Sequence, residues 1–219
     1  MLVALVKLPS CKKINHKWKT FTIKKGKHRS TRAIDYSKDT VFDWDIEFDS
    51  SAIYKTLDSI NQLDINKLIG WSDCGEDHIE NSIRFGWRCV NDTIEIYWFK
   101  HENGSFSFAK ITTIDLCKPS NYYLRIHDWD YELQVDGVRV FVPRNCVIQR
   151  RRYQLYPYFG GDETAPQEQQ RPQLRLLPSP HQVGPNPQGG VQGTHKLRSL
   201  NKNWHRAKQV NLTQLGRKL

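Results

Sequence analysis

The chain has 219 residues, 38% of them hydrophobic, and a formal net charge of +10. That length suits one domain with appendages or two small ones. The charge is unevenly placed, because residues 1–32 carry +10, residues 33–164 carry −8 and residues 165–219 carry +8. An acidic body between two basic ends excludes a uniformly cationic nucleic-acid binder, and no apolar run approaches the length of a membrane span.

Leu2-Val3-Ala4-Leu5-Val6 is too short for a secretory apolar region and meets Lys7 at once, so no signal peptide is read and cytoplasmic synthesis is expected. The five cysteines, Cys11, Cys74, Cys89, Cys117 and Cys146, are odd in number and form no C-x-x-C pair. They read as free thiols in a reducing compartment.

In chain order, residues 1–17 form a basic arm, and Thr20-Phe21-Thr22-Ile23 is a short strand ended by Lys24-Lys25-Gly26-Lys27. Val41 to Phe48 is a strand with Phe42, Trp44, Ile46 and Phe48 on one face and Asp43, Asp45 and Glu47 on the other. Asp58 to Asn66 reads as loop or a short helical turn, and Lys67 to Trp71 as extended chain. Ser82 to Val90 and Thr93 to Lys100 alternate around Asn91-Asp92 and form a hairpin. His101-Glu102-Asn103-Gly104 turns into a strand from Ser105 to Ile114. Tyr122 to Ile126 and Tyr131 to Val135 follow, the latter joined to Val138-Arg139-Val140 by Asp136-Gly137, the strongest hairpin signal in the chain. Tyr153 to Tyr156 is a last strand, which Pro157 assigns to an edge or a strand end. About nine or ten short strands separated by turn residues predict an antiparallel β-sandwich or jelly roll over residues 18–164. From residue 165 the chain turns rich in Gln, Pro, Gly and basic residues and reads as a disordered tail.

Four segments carry a family resemblance: Phe21 to His28, Ile65 to Asp73, Ser82 to Arg88, and the most specific, Tyr156-Pro157-Tyr158-Phe159-Gly160-Gly161-Asp162-Glu163-Thr164-Ala165-Pro166. Together they resemble a family of small β-sandwich proteins of Bacteroidetes and their tailed phages, over roughly residues 18–166. The resemblance implies a sandwich fold and a phage or virion accessory context, and it supplies no catalytic residue. The hairpin from Tyr131 to Val140 is also similar to hairpins of laminin-G and concanavalin-like jelly rolls. In the family a His-Asp pair and a closing strand follow the Ala-Pro. Here Gln167-Glu168-Gln169-Gln170-Arg171 stand instead, as a frameshift, a fusion or a variant would leave them, so the closing strand is expected to be missing and the edge at 153–159 unpaired.

Four sets of residues are candidates for chemistry. Asp43, Asp45 and Glu47 alternate along one strand at roughly 6–7 Å, a spacing open to paired-carboxylate glycoside chemistry as well as to a solvated face. Trp71, Tyr97 and Phe99, with Arg84 and Arg88, are candidates for a glycan-binding groove, though most aromatics of such strands are core. Asp73, Glu76, Asp77 and His78, with Asn81 nearby, form a loop cluster whose oxygens could hold calcium, without an EF-hand register, or an ordinary polar loop, and otherwise no cofactor is expected. Lys24, Lys25, Lys27, Arg150, Arg151 and Arg152 are candidate polyanion contacts, for nucleic acid or an acidic partner. No P-loop, nucleophile elbow, zincin or Rossmann motif occurs. The expectation is a non-enzymatic binding or structural module for a glycan or a protein. A carbohydrate-active enzyme on the acidic strand and a nucleic-acid-associated protein are the alternatives.

Overall fold

The computed structural model describes Cys11, residues 20–30, residues 36–146, residues 152–166 and the backbone of Leu177 and Pro178. All of them belong to one compact unit, residues 1–184. They build two antiparallel sheets. One has six strands in the order β1 (Tyr36–Ser37), β10 (Arg152–Leu155), β3 (Asn66–Ser72), β4 (Asn81–Val90), β5 (Thr93–Glu102) and β6 (Ser105–Ile114). The other has five, in the order β11 (Leu177–Pro178), β2 (Val41–Ile46), β7 (Ser120–Ile126), β8 (Asp130–Val135) and β9 (Val138–Pro143). The predicted β-sandwich is the fold. No helix among the described residues is long and apolar enough to cross a membrane.

The tight turns do what their residues demand. Asn91 and Asp92, Asn103 and Gly104, and Asp136 and Gly137 all adopt positive φ, the backbone that a two-residue hairpin needs. Asn61–Leu63 forms the short helical turn expected between residues 58 and 66. Alternation then sorts the side chains: Ile83, Phe85, Trp87, Ile94 and Ile96 of the six-stranded sheet pack on Phe42, Ile46, Tyr122, Leu124 and Leu133 of the other. Trp87 takes edge contacts from Phe48 and Tyr54, at 5.3 and 5.7 Å between ring centres.

The end of the chain departs from expectation in three ways. Strand β10 is not an edge, because Tyr36 pairs with Tyr153 on one side while Gln154 and Leu155 pair with Trp71 and Gly70 on the other. Pro157 ends this strand without needing an exposed flank, since β10 has already stopped at Leu155. A two-residue strand does lie along β2, where Leu177 pairs with Asp45 and Pro178 with Trp44, so that stretch of the edge is covered. The body also continues past residue 164, as Ala165 is buried and its backbone exchanges hydrogen bonds with Gly26 and Lys27. The rest of the predicted disordered tail lies outside the described residues.

The expectation of five free thiols is corrected. Cys11 is joined to Cys117, tying the basic arm to the body, and Cys74 is joined to Cys146, while Cys89 is free and buried. Sequence spacing failed here because the bridges span 106 and 72 residues and only the fold brings their partners together.

Beside the second bridge, Asp73 is fully buried where β3 ends. Its carboxylate accepts from Arg144 Nε at 2.5 Å and Nη2 at 3.2 Å, from Arg152 Nε at 3.1 Å and from Tyr131 Oη at 2.8 Å. Those donors come from β8, from the segment after β9 and from β10, so one carboxylate fastens both sheets. Arg152, a candidate polyanion contact, is therefore corrected to a buried structural residue, 1% exposed. Arg150 and Arg151 lie outside the described residues.

Burial alone would raise the Asp73 carboxyl, but hydrogen bonds from Arg144, from the Cys74 backbone and from Tyr131 outweigh it, and the net shift is downward. A depressed folded-state pKa contributes stability that is present above the ordinary Asp value of about 3.9 and is lost as pH falls through the lower folded value. We expect Asp73→Asn to cost about 3–5 kcal/mol by urea denaturation at pH 7, because it leaves two buried guanidinium groups without their anion. The difference from wild type should shrink as pH falls below about 3.9. A loss under about 1 kcal/mol at neutral pH would contradict the lock.

Candidate functional site

The outer face of the six-stranded sheet is set by strand register. Gly70, Arg84, Phe99 and Phe108 lie in one row across β3 to β6, Ser72, Ser82, His101 and Phe106 in the next, and Lys67, Gly86, Tyr97 and Lys110 on the other side. Gly70 is required by its neighbour: a Cβ there would lie 2.3 Å from Arg84 Cβ and 2.2 Å from the Ile83 carbonyl. Gly86 likewise leaves room for Ile65, whose Cγ2 would be 2.5 Å from an added Cβ. Ile65, Tyr97 and Phe99 consequently bury one another in a cluster separate from the inter-sheet core.

Arg84 sits in the middle of this face at 6% exposure. Its Nε is buried without a hydrogen-bond partner, and no ion pair forms to it among the described residues. Burial pulls its guanidinium down to about 10, against the opposing pull of Tyr153 and Tyr158. Lys67 lies nearby, its Nζ 4.7 Å over the Phe99 ring. It too has no ion pair among the described residues, and burial, then Arg84, lowers its amine to about 8, with Asp64 opposing. His101 is pulled down to about 4, first by burial and then by Arg84, His78 and Lys67. Two cations and a neutral imidazole thus share a recessed patch.

A polar chain borders the patch. Ser82 Oγ is 3.3 Å from His101 Nδ1 and donates to the His78 carbonyl at 2.7 Å. The His78 amide donates to Tyr153 Oη at 2.7 Å, and His78 Nδ1 is 3.0 Å from the same oxygen. On the other flank Phe99, Phe106 and Phe108 lie nearly parallel.

The structure brings four of the five predicted groove residues, Arg84, Arg88, Tyr97 and Phe99, to this face. Trp71 turns the other way, into the core, because it pairs with inward-facing Ile83. The two arginines differ in a decisive respect. Arg88 Nε donates to Glu95 at 2.9 Å and its guanidinium stacks on Tyr97 at 4.9 Å. Glu95 also accepts from Lys110 at 2.7 Å and from Tyr97 Oη at 2.5 Å. Burial would raise the Glu95 carboxyl, but these three donors hold it down at about 2. Arg88 is therefore already neutralised, whereas Arg84 is not. Sequence reasoning missed Lys67, His101 and Tyr153, and it placed His78 only with the oxygen-rich loop. His101 was within reach of it, being two residues beyond Phe99 on the same strand face.

The other candidate sets lie elsewhere. Asp43 and Asp45 share the outer face of the five-stranded sheet and both accept from Asn121 Nδ2, at 3.0 and 3.2 Å. Glu47 lies past the end of β2, buried at 1% exposure. Of the oxygen-rich loop, Asp73 is turned inward to its arginines, while Glu76 and Asp77 stay exposed, bonded to Asn81 and to the Ile79 amide. Asp73 also neighbours Cys74 and Cys146, but those sulfurs are joined to each other. Lys24, Lys25 and Lys27 are exposed around a turn.

No protein-family model and no curated protein matches the chain. Among solved structures it is similar to the carbohydrate-binding module CBM66 from Bacillus subtilis, at 15% identity and a TM-score of 0.35, over 59% of this chain and 72% of that one. It is also similar to the alginate lyase AlyC3, at 12% identity and a TM-score of 0.47, over 64% of this chain and 67% of that one.

His101 provides a check on the electrostatics of the patch. Its folded-state value of about 4 lies below the ordinary value of about 6.5, so its contribution to stability is complete above pH 6.5 and is lost as pH falls toward 4. NMR titration of the imidazole should show a midpoint near 4 in the wild type and an upward shift in Arg84→Gln. An unchanged midpoint in the variant would exclude Arg84 as a neighbour that matters.

Proposed function

We propose that the outer face of the six-stranded sheet binds an acidic glycan, and that the domain is a non-catalytic glycan-binding module. The observation that carries this reading is Arg84, a buried guanidinium with no anion among the described residues. Burying a charge without a partner is costly, and a fold tolerates it where a ligand completes the pair. Arg144 and Arg152 differ from it in being ion-paired with Asp73, although Arg152 Nη2 is also buried without a hydrogen-bond partner. Lys67 adds a second cation, its Nζ 4.7 Å from the centre of the Phe99 ring. A carboxylate is the expected anion, since a guanidinium fork matches its two oxygens.

The test is binding to a panel of acidic polysaccharides (polygalacturonate, alginate, hyaluronan) and neutral ones (dextran, xylan), read by calorimetry. Wild type should bind at least one acidic polymer and should weaken as salt rises. Arg84→Gln should lose at least about tenfold in affinity. Its melting temperature should stay the same or rise, because an unpaired buried charge has been removed. Undiminished binding by Arg84→Gln, or preference for neutral polymers, would overturn the proposal.

A second, catalytic reading rests on Tyr153 Oη, which is 3.0 Å from His78 Nδ1 and close enough to Arg84 for each to shift the other. A uronate carboxylate held by Arg84 would acidify its α-hydrogen. A base would take that proton, the electron pair would form a carbon–carbon double bond, and the carbon–oxygen bond to the linked sugar would break, its oxygen taking up a proton. Burial raises the Tyr153 hydroxyl and so opposes its use as the base, which ranks this reading second. Ultraviolet-absorbing unsaturated products from polygalacturonate or alginate, lost in Tyr153→Phe, would establish it. Intact polymer after prolonged incubation would remove it.

A further inference from the structure

Phe106 and Phe108 belong to neither apolar cluster of the fold, and both rings lie beside Phe99. The three ring planes lie within 12° of one another, with centres 5.6, 6.1 and 6.3 Å apart. Phe99 is buried beneath the set, but Phe106 is 63% and Phe108 41% exposed. Parallel offset rings are one of the two arrangements that aromatic pairs prefer, the other being the edge contacts that Phe48 and Tyr54 make with Trp87. Phe106 and Phe108, both on β6, thus offer two nearly parallel apolar rings to solvent beside the buried Phe99.

Register ties these rings to the cation patch. Phe99 is the direct cross-strand partner of both Arg84 and Phe108, and Phe106 is the partner of His101. Neighbouring strands are about 4.8 Å apart, so Phe108 stands about 10 Å along the row from Arg84. Lys67 lies over Phe99 between the two parts. A pyranose ring is an apolar, hydrogen-lined plate on one side, which lies flat on an aromatic ring, and its substituents keep contact with water around the rim.

We infer that the site reads an acidic oligosaccharide in two parts, the carboxylate of one sugar on Arg84 and the apolar face of the adjoining sugar on Phe106 and Phe108. The inference rests on the proposed anion-binding role of Arg84 and adds to it the length and direction of the ligand. The saccharide runs across the strands, from β4 toward the β6 edge, and at least two units are needed for full affinity. The platform supplies contact area while the guanidinium supplies selection for charge.

Calorimetry with the full chain separates the two parts. The probes are the mono- and disaccharides of galacturonate, glucuronate, mannuronate and guluronate. For the best-bound sugar, wild type should hold the disaccharide about tenfold or more tighter than the monosaccharide, the gain expected of about 1.4 kcal/mol of stacking. The double variant Phe106→Ala and Phe108→Ala should lose that gain and keep monosaccharide affinity within about twofold of wild type. Both side chains are exposed, and an unchanged melting temperature checks that the fold is retained. A disaccharide preference that survives the double variant, or none in wild type, would overturn the platform while leaving the Arg84 anchor standing. Monosaccharide binding that survives Arg84→Gln, or binding of no uronate at all, would instead overturn the anchor, and the platform with it.

Discussion

The carboxylate of Asp73 holds the sandwich at one end, and the rest of the architecture depends on it. It receives Arg144, Arg152 and Tyr131, which reach it from both sheets. Hydrophobic burial between the sheets is non-directional and would tolerate sliding of one layer over the other. A fully buried carboxylate with fixed donors does not, because each displacement would strand a charge. The bridge between Cys74 and Cys146 fastens the same corner covalently. With that corner set, β10 enters the sheet between β1 and β3 and brings Tyr153 up beside His78.

The same physics gives the functional reading its force. Among the described residues three buried arginines occur close to or within the six-stranded sheet, and two of them share one aspartate. Arg84 has none among the described residues, and Glu95, four residues along β5 from its cross-strand partner Phe99, is committed to Arg88, Lys110 and Tyr97. The face is thus divided into a neutralised half, where charges satisfy each other, and a cationic half, where burial and then Arg84 lower the Lys67 amine, and burial, Arg84, His78 and Lys67 lower His101. An anion brought to the second half would relieve this repulsion, so the cost is recovered on binding.

Much of the fold was readable in the sequence because period-two alternation and turn chemistry are local. Ser105 to Ile114 and the hairpins at Asn91-Asp92 and Asp136-Gly137 follow directly from such patterns. Long-range pairings were not readable: neither bridge, nor the partners of Asp73, nor the interior place of β10 has a local signature. The candidate site shows the same division. Alternation placed Tyr97 and Phe99 opposite the core-facing side chains, correctly, and Arg84 and Arg88 with them. It could not tell a neutralised arginine from an unpaired one, since that depends on Glu95 across the hairpin. Trp71 was misplaced because the register of β3 shifts between Lys67 and Gly70, which breaks simple alternation.

The most direct measurement is a crystal structure of the protein with a bound acidic oligosaccharide. The account predicts a sugar carboxylate within ion-pair distance of the Arg84 guanidinium, with the adjoining ring flat on Phe106 and Phe108. An oligosaccharide lodged instead against Asp43 and Asp45 on the five-stranded sheet, with Arg84 still unpaired, would contradict it.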